Sequence, residues 1–159
     1  GLRHLTDPEM QGKFPRATVH FQLQTRRWAA AQKSLMEIDD PEIQAIYQPI
    51  FHQIDHMRNR KPGVAAFLST LIPGLGKGYA GQWVDGFSAL VMVGVTGFGA
   101  YRFFRERGFG NVLGWGLAGL SGTFYIANIV GSHKAARRYN EKQERDVLDR
   151  LHGITERDF

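Results

Sequence analysis

"GFGNVLGWGLAGLSGTFYIANIVGS", residues 108–132, runs for 25 residues without a charge. A helix needs about 20 apolar residues to cross the hydrocarbon core of a bilayer, so this window is long enough to span one. Working towards the N-terminus, "GFSALVMVGVTGFGAY" (86–101) gives a second uncharged window of 16 residues. Phe103 and Phe104 extend it, while Arg102 and Arg105 can snorkel towards headgroups. A third window, Pro62–Gly76, holds 15 uncharged residues but breaks at Pro73-Gly74. It reads as a half-span, an interfacial helix or a re-entrant segment. Between Pro62 and Ser132 the only charges are Lys77, Asp85, Arg102, Arg105, Glu106 and Arg107.

Composition shifts at the same boundary. Of 19 glycines in the 159 residues, 16 lie between Gly63 and Gly131. The mean hydropathy of −0.30 therefore averages two unlike parts. The competing reading is a soluble helical core, but a water-exposed helix loses about 1 kcal/mol per glycine. In a membrane, glycine lets helix backbones approach closely. Gly110, Gly114, Ala118 and Gly122 recur every four residues, and Gly94, Gly97 and Ala100 every three, as expected of a tight hairpin turned by "RFFRERGFGN". Cysteine is absent, which excludes disulfides and thiolate metal sites. The net charge of +5 is spread over the whole chain, and no part is basic enough to point to nucleic acid.

The flanks read as amphipathic helices. Residues 1–14 are polar and expected to be irregular. Pro15 can open a helix. In "RRWAAAQKSLMEI", Trp28, Ala31, Leu35 and Ile38 share one face. Asp40 is an expected N-cap with Pro41 at N1. Ile43, Ile46, Tyr47, Ile50, Phe51, Ile54 and Met57 mark the next apolar face, which Pro49 should bend or divide. After Ser132 comes a charged tail with Val147, Leu148 and Leu151 as a thin apolar edge. Lys134, Arg137 and Arg138 would lie at the level of anionic headgroups. If all three windows span, the Arg102–Arg107 loop shares a side with "RNRK" (58–61). If the first is re-entrant, "RNRK" shares a side with the tail, and the positive-inside rule gives conflicting votes.

Chemistry-bearing patterns are sparse. "GLGKGYAG" fails the phosphate-loop pattern, because Gly78 follows Lys77 where Ser or Thr is needed and no strand is expected before it. His52 and His56 share a helix face at i and i+4, but Gln53 stands where a metalloprotease needs Glu, and no third ligand is evident. Asp85 reads as a cap opening the next helix. Asn128 reads as an amide bonded to a neighbouring helix. Trp83, Tyr79, Tyr101 and Tyr125 suit interfacial belts. No catalytic, cofactor-binding or metal residues are assigned, and no cofactor is expected.

Two stretches carry a family resemblance. "KPGVAAFLSTLIPGLGKGYAGQWVDGFSAL" and "FYIANIVGSHKAARRYN" resemble the C-terminal membrane-hairpin module of bacterial tetratricopeptide-like membrane proteins. These are sometimes labelled as relatives of a membrane-protein-insertion efficiency factor. The shared motif falls on Pro73, Gly74, Gly76, Tyr79, Gly81, Asp85 and Gly86, then on Phe124, Tyr125, Asn128, Gly131, Tyr139 and Asn140. Lys77 departs from it, where Gln is more usual. The resemblance covers about residues 60–140. Upstream, Trp28, Ala31 and Leu35 look like the second helix of a degenerate tetratricopeptide repeat. Arg26 and Arg27 stand where such a repeat usually has glycine. One such pair cannot bury its own face, so earlier repeats are missing or the pair packs on something else. The opening "GLRHLTDPEM", without Met or a leader pattern, fits a fragment or a processed form.

The expected fold is an all-α helical membrane protein with two to three membrane segments. A soluble, tetratricopeptide-like part spans 1–61. The membrane module spans 62–132, with a half-span, re-entrant or interfacial segment over 62–81 and spans over 86–104 and 110–132. A charged amphipathic tail covers 133–159. The expected role is a non-catalytic accessory or scaffold subunit of a bacterial envelope complex, aiding membrane protein biogenesis. Its partners would be lipids and other protein subunits, with no nucleic acid. The alternative is a small carrier or channel, with Asp85, Lys77, Thr96, Ser121, Thr123 and Asn128 supplying a polar path. A membrane-bound enzyme ranks last. The resemblance implies the inner membrane, with the N-terminal part periplasmic.

Overall fold

The computed structural model describes residues 15–155, so the segment over 1–14 read as irregular and the end of the tail lie outside the described residues. Among the described residues all regular elements are helices. They are α1 (Pro15–Gln24), α2 (Trp28–Met36), α3 (Pro41–Asp55), α4 (Pro62–Leu71), α5 (Leu75–Tyr79), α6 (Trp83–Arg107) and α7 (Val112–Thr155). The chain divides into two compact units. One joins the residues up to Met57 to those from Gln143 onward, and the other is Arg58–Lys142.

In the first unit the helix boundaries follow local chemistry. Pro15 is the first residue of α1. Asp40 caps α3, its carboxylate accepting from the backbone N–H groups of Glu42 (2.9 Å) and Ile43 (3.3 Å). Pro49 lies inside α3, which nevertheless runs unbroken from Pro41 to Asp55; the expected division does not occur. Burial of Tyr47, Ile50 and Phe51 holds the helix across the single backbone bond that proline removes. Between α1 and α2, Arg26 takes φ 58°. Arg27 N donates to Gln22 O (2.8 Å) and Arg26 N to Leu23 O (3.0 Å), the paired bonds of a left-handed helix stop. The arginine thus adopts the backbone that glycine takes most readily, and its guanidinium pairs with Glu144 at 2.9 Å.

The core of this unit is Val19, Leu23, Ala31, Ile38, Tyr47, Ile50 and Phe51, together with Val147 and Leu151 of α7. The end of the charged tail is therefore a fourth core helix; of its apolar edge Val147 and Leu151 are fully buried, while Leu148 is half-buried. Where the sequence suggests a tail beginning at 133, α7 is one continuous helix through that point.

In the second unit, α4 has ten residues and rises about 15 Å, half of a ~30 Å hydrocarbon core. It ends at Ile72, and the chain turns through Gly74 at φ 93° into the single turn of α5. Gly81 (φ 84°) stops α5, with Gln82 N donating to Lys77 O (2.8 Å) and Gly81 N to Gly78 O (2.9 Å). Helix α6 begins at Trp83 with Gln82 as its cap residue. Asp85 is thus inside the first turn, not the cap expected from sequence. It still favours the positive end of α6. Helices α6 and α7 are long and apolar enough to cross a membrane.

The turn between them is short. Asn111 Oδ1 accepts from Gly114 N (3.1 Å), and Trp115 Nε1 donates to Phe109 O (2.8 Å). The four-residue glycine stripe forms the hairpin contact only in part, and Gly97 of the three-residue repeat also takes part. Of its members only Gly114 is tightly packed, against the Phe104 ring, while a Cβ on Gly110 or Gly122 would meet nothing within 4 Å. The rest of the contact runs through Gly97 against Ser121, and Gly99 against Leu117. Leu117 and Ser121 follow Gly114 at the three- and four-residue steps of a helix face.

Leu151 is fully buried, so Leu151→Ala is expected to cost about 2–5 kcal/mol, read by urea unfolding with helical circular dichroism. His20 adds a pH dependence. Its pKa is lowered from 6.5 by burial first, then by the neighbouring charges of His152 and Arg16. The unfolded chain then binds more protons between the folded pKa and 6.5. The stability tied to neutral His20 is present above pH 6.5 and is lost as pH falls through the folded value. Unfolding midpoints measured from pH 7.5 down to 5 should fall, and His20→Gln should flatten that fall.

Candidate functional site

The two halves of the sequence motif meet across the helix break. A Cβ on Gly74 would lie 1.9 Å from Gly86 O, and one on Gly76 would lie 1.8 Å from Ala65 O. Only hydrogen at these positions allows such approach. Gly78 lies against the Trp83 ring in the same way, at 2.8 Å. Next to the break, Ser69 Oγ accepts from Gly76 N (3.0 Å) and bonds Ser132 Oγ (2.7 Å), while Ser132 Oγ donates to Asn128 O (2.8 Å). Both serines are fully buried. A relay of hydroxyls thus fastens the broken segment to α7.

Further along α7, Tyr125 donates to Thr70 O (2.6 Å). Asn140 clamps Arg60 from both sides: Arg60 N donates to Asn140 Oδ1 (2.8 Å), and Asn140 Nδ2 to Arg60 O (2.9 Å). The Arg60 guanidinium lies over Tyr79 (4.9 Å) and Tyr139 (5.3 Å). Tyr79 OH accepts from Lys61 N (3.3 Å). Tyr79 and Tyr125 are therefore tied into the unit, unlike the belt expected of them, whereas Trp83 and Tyr101 are exposed. Pro73 sits in the break beside Gly74, and Gly131 lies under the Lys77 stem, with Cε 3.4 Å from where a Cβ would be.

A second arrangement was not evident from spacing. Lys77, Asp85, Ser88 and Asn128 line one niche of about 210 Å³, with Ala89, Met92, Phe124 and Ala127 as its apolar wall. Lys77 and Asp85 approach it with opposite charge and no ion pair between them. Asn128 is 3% exposed, and neither atom of its amide has a hydrogen-bond partner among the described residues. The expected bond to a neighbouring helix is therefore not made. Burying such groups without partners costs about 1–3 kcal/mol each.

The remaining candidates for a polar path each bond a backbone carbonyl, Thr96 and Thr123 within their own helix and Ser121 across the hairpin. Thr96 donates to Met92 O (2.6 Å), Thr123 to Gly119 O (2.9 Å) and Ser121 to Val93 O (3.2 Å). Of the six candidates, Lys77, Asp85 and Asn128 line the niche, and Thr96, Ser121 and Thr123 do not. His52 and His56 stack with ring centroids 4.2 Å apart, and His56 Nδ1 bonds His52 O (2.7 Å). Among the described residues no three His, Asp or Glu side chains gather to form a metal site.

The packing at the break distinguishes its glycines from others. Gly74→Ala combines a left-handed backbone with overlap on Gly86, and should cost at least about 1–3 kcal/mol from conformation alone. Gly63, with open space around its missing Cβ, should tolerate alanine or gain up to about 1 kcal/mol. Thermal unfolding of the two purified variants checks the contrast.

Compared with family models, curated proteins and solved structures, the chain has no match in any of the three.

Proposed function

We propose that the chain is an integral membrane protein of two spans, α6 and α7, acting as a non-catalytic accessory or scaffold subunit that holds a small helical unit at the bilayer surface. The observation that carries this reading is the exposure of the hairpin. Only 6% of the most apolar stretch of α6, and 11% of that of α7, is buried within the protein. A core helix of a soluble protein would be covered. Large side chains such as Phe87, Val95, Phe98, Leu113 and Ile126 are exposed instead, as lipid contact requires. From Asp85 to Arg105, α6 rises about 30 Å, the thickness of a hydrocarbon core.

Topology follows from the first unit. Helices α1–α3 share a core with Val147 and Leu151, so these segments lie on one side and the chain between them crosses an even number of times. Two crossings by α6 and α7 satisfy this, with α4 and α5 remaining on the side of the ends. Arg58, Arg60, Lys61, Lys134, Arg137, Arg138 and Lys142 then flank one boundary, against Arg102, Arg105 and Arg107 at the other. The positive-inside rule favours a cytoplasmic first unit. The family resemblance pointed to a periplasmic one, and the basic residues outweigh it here.

Partner subunits are supported by the glycines that the hairpin leaves open. A Cβ on Gly94, Gly116, Gly119 or Gly122 would meet nothing within 4 Å, which gives a second protein's helix room for close approach. Envelope protein biogenesis is one process such a subunit could serve.

Because the chain has no cysteine, single cysteines report topology cleanly. In sealed inner-membrane vesicles, Phe109→Cys and Arg137→Cys should label from opposite faces with an impermeant maleimide; labelling from the same face would overturn the two-span arrangement. Mild-detergent purification should recover partner chains in fixed stoichiometry, and a lone monomer throughout would overturn the scaffold role.

A further inference from the structure

The geometry points to the niche of Lys77, Asp85 and Asn128 as a binding site for a phosphoethanolamine-type zwitterion, the headgroup of an aminophospholipid or the same group free in solution. The lipid source rests on the membrane reading above. The niche carries one cation and one anion that do not pair with each other, and a buried amide with both a donor and an acceptor unused. A ligand that completes this set must be anionic at one end and a hydrogen-bond donor at the other. A phosphate would take Lys77 Nζ and Asn128 Nδ2, and a primary ammonium would take Asp85 and Asn128 Oδ1. Charge-assisted bonds of this kind are the strong ones.

Alternatives fit less well. A purely anionic headgroup would meet Lys77 but face the Asp85 carboxylate. A choline headgroup matches the net charge, yet its methylated nitrogen has no proton to donate. The cavity of about 210 Å³ is smaller than the ~300–1,000 Å³ that encloses drug-sized ligands, and suits a small polar group. Its apolar wall of Met92, Phe124 and Ala127 gives the attached chains a surface to follow. Depth agrees as well: Asp85 falls at one boundary of α6, and Asn128 lies about 25 Å along α7 from the turn at Asn111.

The test uses the full chain in nanodiscs holding equal ethanolamine, choline and glycerol phospholipids, with retained lipid counted by native mass spectrometry. The wild type should retain the ethanolamine lipid about tenfold over the choline lipid, as expected for one charged hydrogen bond. Asp85→Asn and Lys77→Met, on side chains outside the core, should remove that preference. Asn128→Leu should remove it without lowering the thermal midpoint. Equal retention of both lipids by a chain that co-floats with vesicles overturns the lipid site and leaves the membrane reading standing. Failure to float overturns the membrane reading instead. Titration with O-phosphoethanolamine, followed by NMR, then decides the soluble source: saturable shifts weakened by Asp85→Asn support the site, and no shifts, together with equal lipid retention or no flotation, overturn it.

Discussion

A helix that stops after ten residues leaves its last carbonyls and the next N–H groups without partners, and everything around residues 69–86 follows from that. The chain supplies those partners itself. Ile72 N reaches back to Leu68 O, Leu75 N to Ile72 O and Gly78 N to Gly74 O, all near 3.0–3.1 Å. The N–H of Gly76 has a different partner, the hydroxyl of Ser69. That hydroxyl is itself tied to Ser132, so local repair and tertiary attachment share one atom. Buried irregular backbone needs partners for its polar groups and cover from the rest of the protein. Here α6 covers one side through Gly86 and α7 the other through Ser132.

Such coverage requires backbones to touch, which explains why the glycines near the break differ from those of the hairpin. Gly74, Gly76, Gly78 and Gly86 lie where a methyl group would strike a carbonyl or a ring. Most hairpin glycines have no neighbour at all. Composition treats both sets alike, yet only the first determines how the unit closes. The same crowding brings Lys77 over Gly131, and so carries a long cation towards the niche that Asp85 reaches from α6.

Much of the helical order was legible in the sequence, because its signals are local. The Asp40-Pro41 start, the break at Pro73-Gly74 and the two long uncharged windows each depend on a few adjacent residues. Three features were not legible, for a common reason. Pro49 should bend or divide α3, and it does not divide it, because burial of Tyr47, Ile50 and Phe51 outweighs one missing bond. Asp85 has cap chemistry, yet the chain enters α6 three residues earlier, where Gly81 releases it from α5. The glycine repeat of α7 predicts the packed face only in part: Gly114 meets Phe104, Gly110 and Gly122 stay open, and Leu117 and Ser121 make the rest of the contact. In each case distant contacts decide between local options of similar free energy. The niche is of the same kind: Lys77, Asp85 and Asn128 stood out as polar residues of an apolar module, but they share no spacing that would mark them as neighbours.

Helix α7 carries two incompatible surface requirements in succession, and this is what couples the tail to topology. Over 112–132 its outer face is apolar and uncharged, as lipid demands. Over 143–155 it carries Glu144, Arg145, Asp146, Asp149 and Arg150, while Val147 and Leu151 are sealed into a core with Val19, Leu23 and Tyr47 and Ile154 packs against it. A tail lying free on a membrane surface would need a broader apolar face than one residue per turn. A helix completing a small soluble core needs no more than that. The thinness of the apolar edge is therefore what a fourth core helix presents. In the proposed two-span arrangement this core also puts α1–α3 and the end of α7 on one side, so an even number of crossings follows from packing, independent of the distribution of charge.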